Sequence, residues 1–196
     1  GGTSTFITSA NDATIALTTD SNAFTGALLI TTNDASGADA DVTVDGGTTG
    51  LIMGLSTIDG DLALRSGAAI TDTGVATVSG TLSATTDASS SAITLDQLAV
   101  DGAFTLAPNG NGAVTVVNDA GLNLAASTMG GTFSGTATTG DISDSGNLAI
   151  TGAATFITGA SGSNIILDAS GNAFSSAVTL RADAGNEAFG NITFVD

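Results

Sequence analysis

The 196-residue chain contains no cysteine, no histidine, no tryptophan and no tyrosine, and its only cations are Arg65 and Arg181. Without cysteine there are no disulfides and no thiolate metal ligands. Without histidine, Ser-His-Asp, Cys-His and imidazole-ligated metal chemistry are closed. With neither lysine nor tyrosine, Schiff-base catalysis and phenolic proton transfer are both unavailable. Against the two arginines stand 19 acidic residues, for a formal net charge of −17. That balance excludes nucleic acid as a partner, because phosphate neutralisation needs clustered cations. It also disfavours anionic membrane surfaces. No apolar run reaches the ~18 residues needed to span a bilayer. A single proline among 27 glycines excludes collagen-like and polyproline structures. Aromatics at 4% supply few platforms for sugar stacking.

Hydrophobic residues make up 42% of the chain, and its mean hydropathy is +0.38. Disordered chains have low mean hydropathy, so an ordered fold is expected. The apolar residues alternate with polar ones at period two, the pattern of half-buried strands. Leu62-Ala63-Leu64, Phe104-Thr105-Leu106, Val114-Thr115-Val116, Leu148-Ala149-Ile150 and Val178-Thr179-Leu180 all do so. Each run is short and bounded by Gly, Asn, Asp or Ser, the residues of turns. No stripe of period 3.6 appears.

The sequence also repeats itself. Residues 5–44 align without gaps on residues 155–194, with 13 identities in 40 positions. Thr5-Phe6-Ile7-Thr8 falls on Thr155-Phe156-Ile157-Thr158, and Asn22-Ala23-Phe24 on Asn172-Ala173-Phe174. A more diverged copy lies between them. Gly50-Leu51 corresponds to Gly121-Leu122, Asp72 to Asp144, Asp96 to Asp168, and Val114-Thr115-Val116 to Ile192-Thr193-Phe194. The unit is about 75 residues, and the chain is one continuous array over 1–196, with copies at approximately 1–49 (partial), 50–120 and 121–196. Both ends fall mid-pattern, which reads as a piece of something longer.

A fixed period favours a repeat architecture, in which each unit buries its apolar face by stacking on its neighbours. The expected fold is all-β: a right-handed parallel β-solenoid (β-helix) with about three or four coils per unit. Tandem Ig-like β-sandwich modules are the alternative, although many of those carry a core tryptophan that is missing here.

The segments LNLAAST (122–128), GDISDSGNLAITGAATF (140–156) and NIILDASGNAF (164–174) resemble the repeats of filamentous-haemagglutinin-type bacterial surface proteins, and NAFTGALLITT (22–32) echoes them. The stretch LIMGLSTIDGDLALRSG (51–67) departs from that pattern. The resemblance implies a secreted, extracellular or cell-surface β-helix that serves as a stalk, adhesin or matrix fibre. It supplies no catalytic residues.

For chemistry, carboxylates remain. Glycosidic cleavage can run on paired acids, but the single glutamate, Glu187, matches Gly37 in the first copy. The Asp72/Asp144 and Asp96/Asp168 pairs recur, as structural turn residues do. No enzyme activity, catalytic residue or cofactor is expected. Asp39, Asp41 and Asp45 are candidates for calcium, since hard oxygen donors suit it. Solvated turns are the preferred reading, as they are for Asn109-Gly110-Asn111-Gly112, where Ala113 replaces the aspartate of the repeats-in-toxin pattern. Thr43, Thr115 and Thr193, expected at the middle of equivalent strands, together with Thr136-Ala137-Thr138, raise an ice-binding face. They recur only once per unit, however, and threonine on a solvent-facing strand is ordinary, which is the preferred reading. The expected role is a rod extending head to tail, its partner being either itself or more of the same chain. An adhesive, glycan- or ice-binding module is the alternative.

Overall fold

The structure is a computed structural model and describes residues 2–182 and 189–196. Every regular element among the described residues is a strand, and every registered strand pair is parallel. Two sheets of eleven and nine strands run the length of the molecule, with a third of three strands beside them. The chain visits the first sheet, crosses to the second and returns. It goes from Ser4–Asn11 to Ile15–Leu17, then from Leu28–Asn33 to Val42–Asp45, and so on through nine turns. This is the expected parallel β-solenoid. The sandwich alternative needs antiparallel pairs, and none is among these. Register partners one turn apart are separated by 19 residues (Leu51 and Ile70) to 27 residues (Ile15 and Val42).

Alternation produces the core. In the strands of the inner turns every second residue points inward and meets its counterpart in the next turn, about 4.8 Å away. Val42, Leu62, Leu82 and Phe104 are successive register partners in the second sheet, each at most 1% exposed. Val114, Phe133 and Ala154 form a like column in the first. Phe133, Phe156, Phe174 and Phe194 continue as a chain of ring contacts, with centroids 5.0, 6.1 and 5.2 Å apart. At the corners the backbone itself closes the stack. Gly80 donates to the Gly60 carbonyl and Gly102 to the Gly80 carbonyl, each at 3.0 Å. A Cβ on Gly102 would lie 2.3 Å from the Gly80 oxygen, so only glycine fits there.

The two sides of a turn are not alike. In the third and fourth turns the first sheet holds pairs of three-residue strands, Leu51–Met53 with Ser56–Ile58 and Ile70–Asp72 with Ala76–Val78. The second sheet there holds single five-residue strands, Leu62–Ser66 and Leu82–Thr86. In turns six to eight the arrangement is reversed. Val114–Asn118, Phe133–Ala137 and Ala154–Thr158 now occupy the first sheet, and the short pairs lie opposite, as in Leu122–Leu124 with Ser127–Met129. The exchange occurs at Ile93–Val100. This eight-residue strand pairs with both Ile70–Asp72 and Ala76–Val78 on one edge and with Val114–Asn118 on the other, with a register shift between Leu95 and Leu98.

This bears on the three threonines at matched positions of the repeat. Thr43 and Thr193 lie in the second sheet, but Thr115 lies in the first. The three threonines are equivalent in sequence, yet they do not line one face.

Candidate functional site

The outer surface is studded with aspartates, and five of them, Asp41, Asp61, Asp72, Asp141 and Asp144, do the same local task. A carboxylate in one turn accepts a backbone N–H from the next. Asp41 Oδ1 accepts from Asp61 N at 2.8 Å, and Asp61 Oδ1 accepts from Thr81 N at 2.6 Å. Further along, Asp141 Oδ1 accepts from Asn164 N at 2.7 Å, and Asn164 Oδ1 from Asn191 N at 2.8 Å. These contacts satisfy amides at corners where the strand ladders stop.

Asp72 and Asp144 perform the equivalent task on opposite sides of the rod. Asp72 Oδ2 accepts from Gln97 N at 2.8 Å. Asp144 accepts from Asp168 N at 3.0 Å and Ala169 N at 3.3 Å, and also from Asn172 Nδ2 at 2.6 Å. The recurring partners Asp96 and Asp168 therefore belong to the segment being capped. Burial pushes the Asp72 carboxyl above its ordinary value, the nearby Asp96 adds to this, and the amides of Gln97 and Asp96 oppose it. A carboxyl raised in the folded state adds stability that is complete below its unfolded value and is lost as pH rises through its folded value. Asp72→Asn keeps an acceptor without the desolvated charge. Its urea midpoint should equal or exceed the parent's at pH 7, and the difference should shrink as pH falls through the raised folded value and be gone below about 4. Asp72→Ala leaves the amide uncapped and should be less stable by about 1–3 kcal/mol. An Asn variant clearly weaker than the parent at pH 7 would contradict this account.

The three calcium candidates differ in setting. Asp39 and Asp41 are exposed. Asp45 is buried, and its Oδ1 accepts from Gly47 N at 2.7 Å. Among the described residues no group of three or more acidic side chains is placed to hold a metal ion. The Asn109–Gly112 segment is a turn with Gly110 at φ +59°. It is tied to the preceding turn by Asn109 N, which donates to Thr86 Oγ1 at 3.1 Å. Thr136 sits within Phe133–Ala137, while Thr138 donates to Asp119 Oδ1 at 3.1 Å. Glu187 lies outside the described residues. Its counterpart Gly37 is an exposed turn glycine at φ +123°.

One cluster was not anticipated. Arg65 Nε donates to both oxygens of Asp87, at 3.1 and 3.0 Å, and Arg65 is the register partner of Asp45. Asp20 completes a shallow groove with Gly47 and Thr48. The ion pair is open to solvent, at 59% and 43% exposure, so screening leaves it a small part in stability. The single positive charge of Arg65 offsets part of the negative charge of Asp87, Asp45 and Asp20. The spacings that betray it, 20 residues from Asp45 to Arg65 and 22 from Arg65 to Asp87, carry meaning only once the turn length is known.

The family described as Repeats of unknown function (DUF5649) matches residues 39–107 and 111–181, well over half of the chain. The chain belongs to this family of repeats. No curated protein and no solved structure matches it. The first DUF5649 repeat opens on Val42–Asp45 and ends on Phe104–Ala107, both in the second sheet. The second opens on Val114–Asn118 and ends within Val178–Ala182, both in the first.

Proposed function

We propose that this chain is a structural segment of an extracellular bacterial filament or giant surface adhesin of the filamentous-haemagglutinin type, acting as a stacked rod or stalk. The observation that carries the reading is the continuity of the stack. Inward apolar columns and inter-turn hydrogen bonds follow one another through all nine turns, and the outer carboxylates are engaged in holding neighbouring turns together. At about 4.8 Å per turn, the nine turns make a rod about 43 Å long. The rod extends head to tail, through more of the same polypeptide or through an identical subunit. A further turn stacked on the last would cover Ile192 and Phe194, which are 49% and 37% exposed. The surface charge keeps long assemblies soluble through mutual repulsion. The proposal assigns no catalytic residue and no cofactor.

The test is to replace this segment, within the longer protein, with an unrelated solenoid of the same length. Function should survive the replacement and should fall when the segment is deleted without one. Loss of attachment despite preserved length would establish a binding module instead. Sedimentation of the isolated chain addresses self-association: a monomer at millimolar concentration would remove the identical-subunit version.

A further inference from the structure

We infer that a rod built from this repeat presents the same side chains alternately on two opposite sides, because each repeat contains an odd number of half-turns. This goes beyond a spacer role, since it fixes where anything carried by the repeat is displayed. The first repeat passes through the sheets in the order second, first, second, first, second, first, second, which makes seven half-turns in all. The second repeat makes the same seven passes starting from the first sheet. One repeat is therefore three and a half turns, and only a pair of repeats closes a whole number.

The equivalence is physical as well as textual. Ser56 Oγ accepts from Ile30 N and donates to the Gly54 carbonyl, each at 3.0 Å. Ser127, its counterpart, accepts from Leu106 N at 3.0 Å and donates to the Ala125 carbonyl at 2.9 Å. Ser56–Ile58 belongs to the first sheet, whereas Ser127–Met129 lies in the short third sheet reached from the second. The same hydrogen-bonded corner is thus built on both sides. The odd count arises at the repeat junction. There the single strands Phe104–Ala107 and Val114–Asn118 follow one another with no short pair between them, joined by a loop that carries the chain's one proline, Pro108. Leu28–Asn33 and Val42–Asp45 make the corresponding junction earlier.

Like partners engaging successive repeats would thus sit on opposite sides, offset by about 17 Å along the rod. Partners on one side would be spaced by seven turns, about 34 Å. The absence of native cysteine allows a direct test with paired nitroxide labels and pulsed EPR distances. Labels at Thr43→Cys and Thr193→Cys should be about 34 Å apart, on one side. Labels at Thr43→Cys and Thr115→Cys should be separated by clearly more than the axial ~17 Å, because the vector also crosses two sheets ~10 Å apart. A 43–115 distance no greater than the axial offset would overturn the inference. As an independent measurement, one extra copy of residues 39–110 inserted at that junction should move a tag at Thr193→Cys to the side opposite Thr43→Cys in electron micrographs. Two extra copies should bring it back. Tags that stay on one side after a single insertion would also overturn it.

Discussion

Phe156→Ala should lower the stability of this rod by about 3–5 kcal/mol, read as a fall in the urea midpoint with little change in slope. Phe156 is 0% exposed and contacts two other rings, Phe133 at 5.0 Å and Phe174 at 6.1 Å. Removing it deletes a large buried side chain and leaves a cavity between the seventh and ninth turns. The backbone cannot collapse into that cavity, because Ala154–Thr158 is paired along its length with Phe133–Ala137 on one edge and with Val178–Ala182 on the other. In a stacked repeat each turn is stabilised by its neighbours. Hydrogen exchange should therefore quicken first in the eighth and ninth turns and leave turns three to five protected. Phe156→Leu, which keeps much of the volume, should cost substantially less. A loss below 1 kcal/mol for the alanine variant would mean that the ring column contributes little and that the inter-turn hydrogen bonds dominate.

That prediction rests on a strand legible from residue order alone. The matched Thr5-Phe6-Ile7-Thr8 and Thr155-Phe156-Ile157-Thr158 segments lie in the first sheet of turns one and eight. Short alternating runs identify strands because a strand buries every second residue, and a fixed period identifies stacking because only a repeating architecture has reason to preserve one. What could not be read was the length of a single turn. The corners absorb different numbers of residues, so register partners range from 19 to 27 positions apart and no constant spacing appears in the sequence. Two consequences followed. Thr43, Thr115 and Thr193 align in sequence, but alignment carries no information about the side of the rod, and an odd number of half-turns, seven, separates the middle one from each of the others. The Arg65 cluster was invisible because Asp45 and Asp87 become its neighbours only when the chain has come round one turn. The recurrence of Asp72 and Asp144 was legible as structural, but the bonds to the following turn were not. Those bonds depend on which amides the corner leaves without a strand partner.

Asn118→Leu should be nearly as damaging as the loss of the phenylalanine, and for a different reason. Asn118 is 0% exposed, at the end of the Val114–Asn118 strand, immediately beyond the exchange of short and long strands. Its Oδ1 accepts from Val100 N at 2.8 Å. Its Nδ2 donates to the Val100 carbonyl at 2.9 Å and to the Gly121 carbonyl at 2.6 Å. The side chain thus completes a sheet ladder that the register shift at Ile93–Val100 would otherwise leave open. Leucine approximates its volume but satisfies none of these groups. Each buried polar group left without a partner costs about 1–3 kcal/mol. The two Val100 groups are buried and the Gly121 carbonyl is half-buried, so we expect a total loss of about 2–6 kcal/mol. Asn118→Asp separates the two contributions. It keeps the acceptor for Val100 N but loses both donors and places a carboxylate against two carbonyls. At neutral pH it should be at least as destabilising as leucine, and it should recover part of the loss on acidification, when the protonated acid donates one bond again. If the leucine variant matched the parent, the corner would be held by packing, and the continuity of hydrogen bonding across the exchange of faces would be incidental to the stability of the rod.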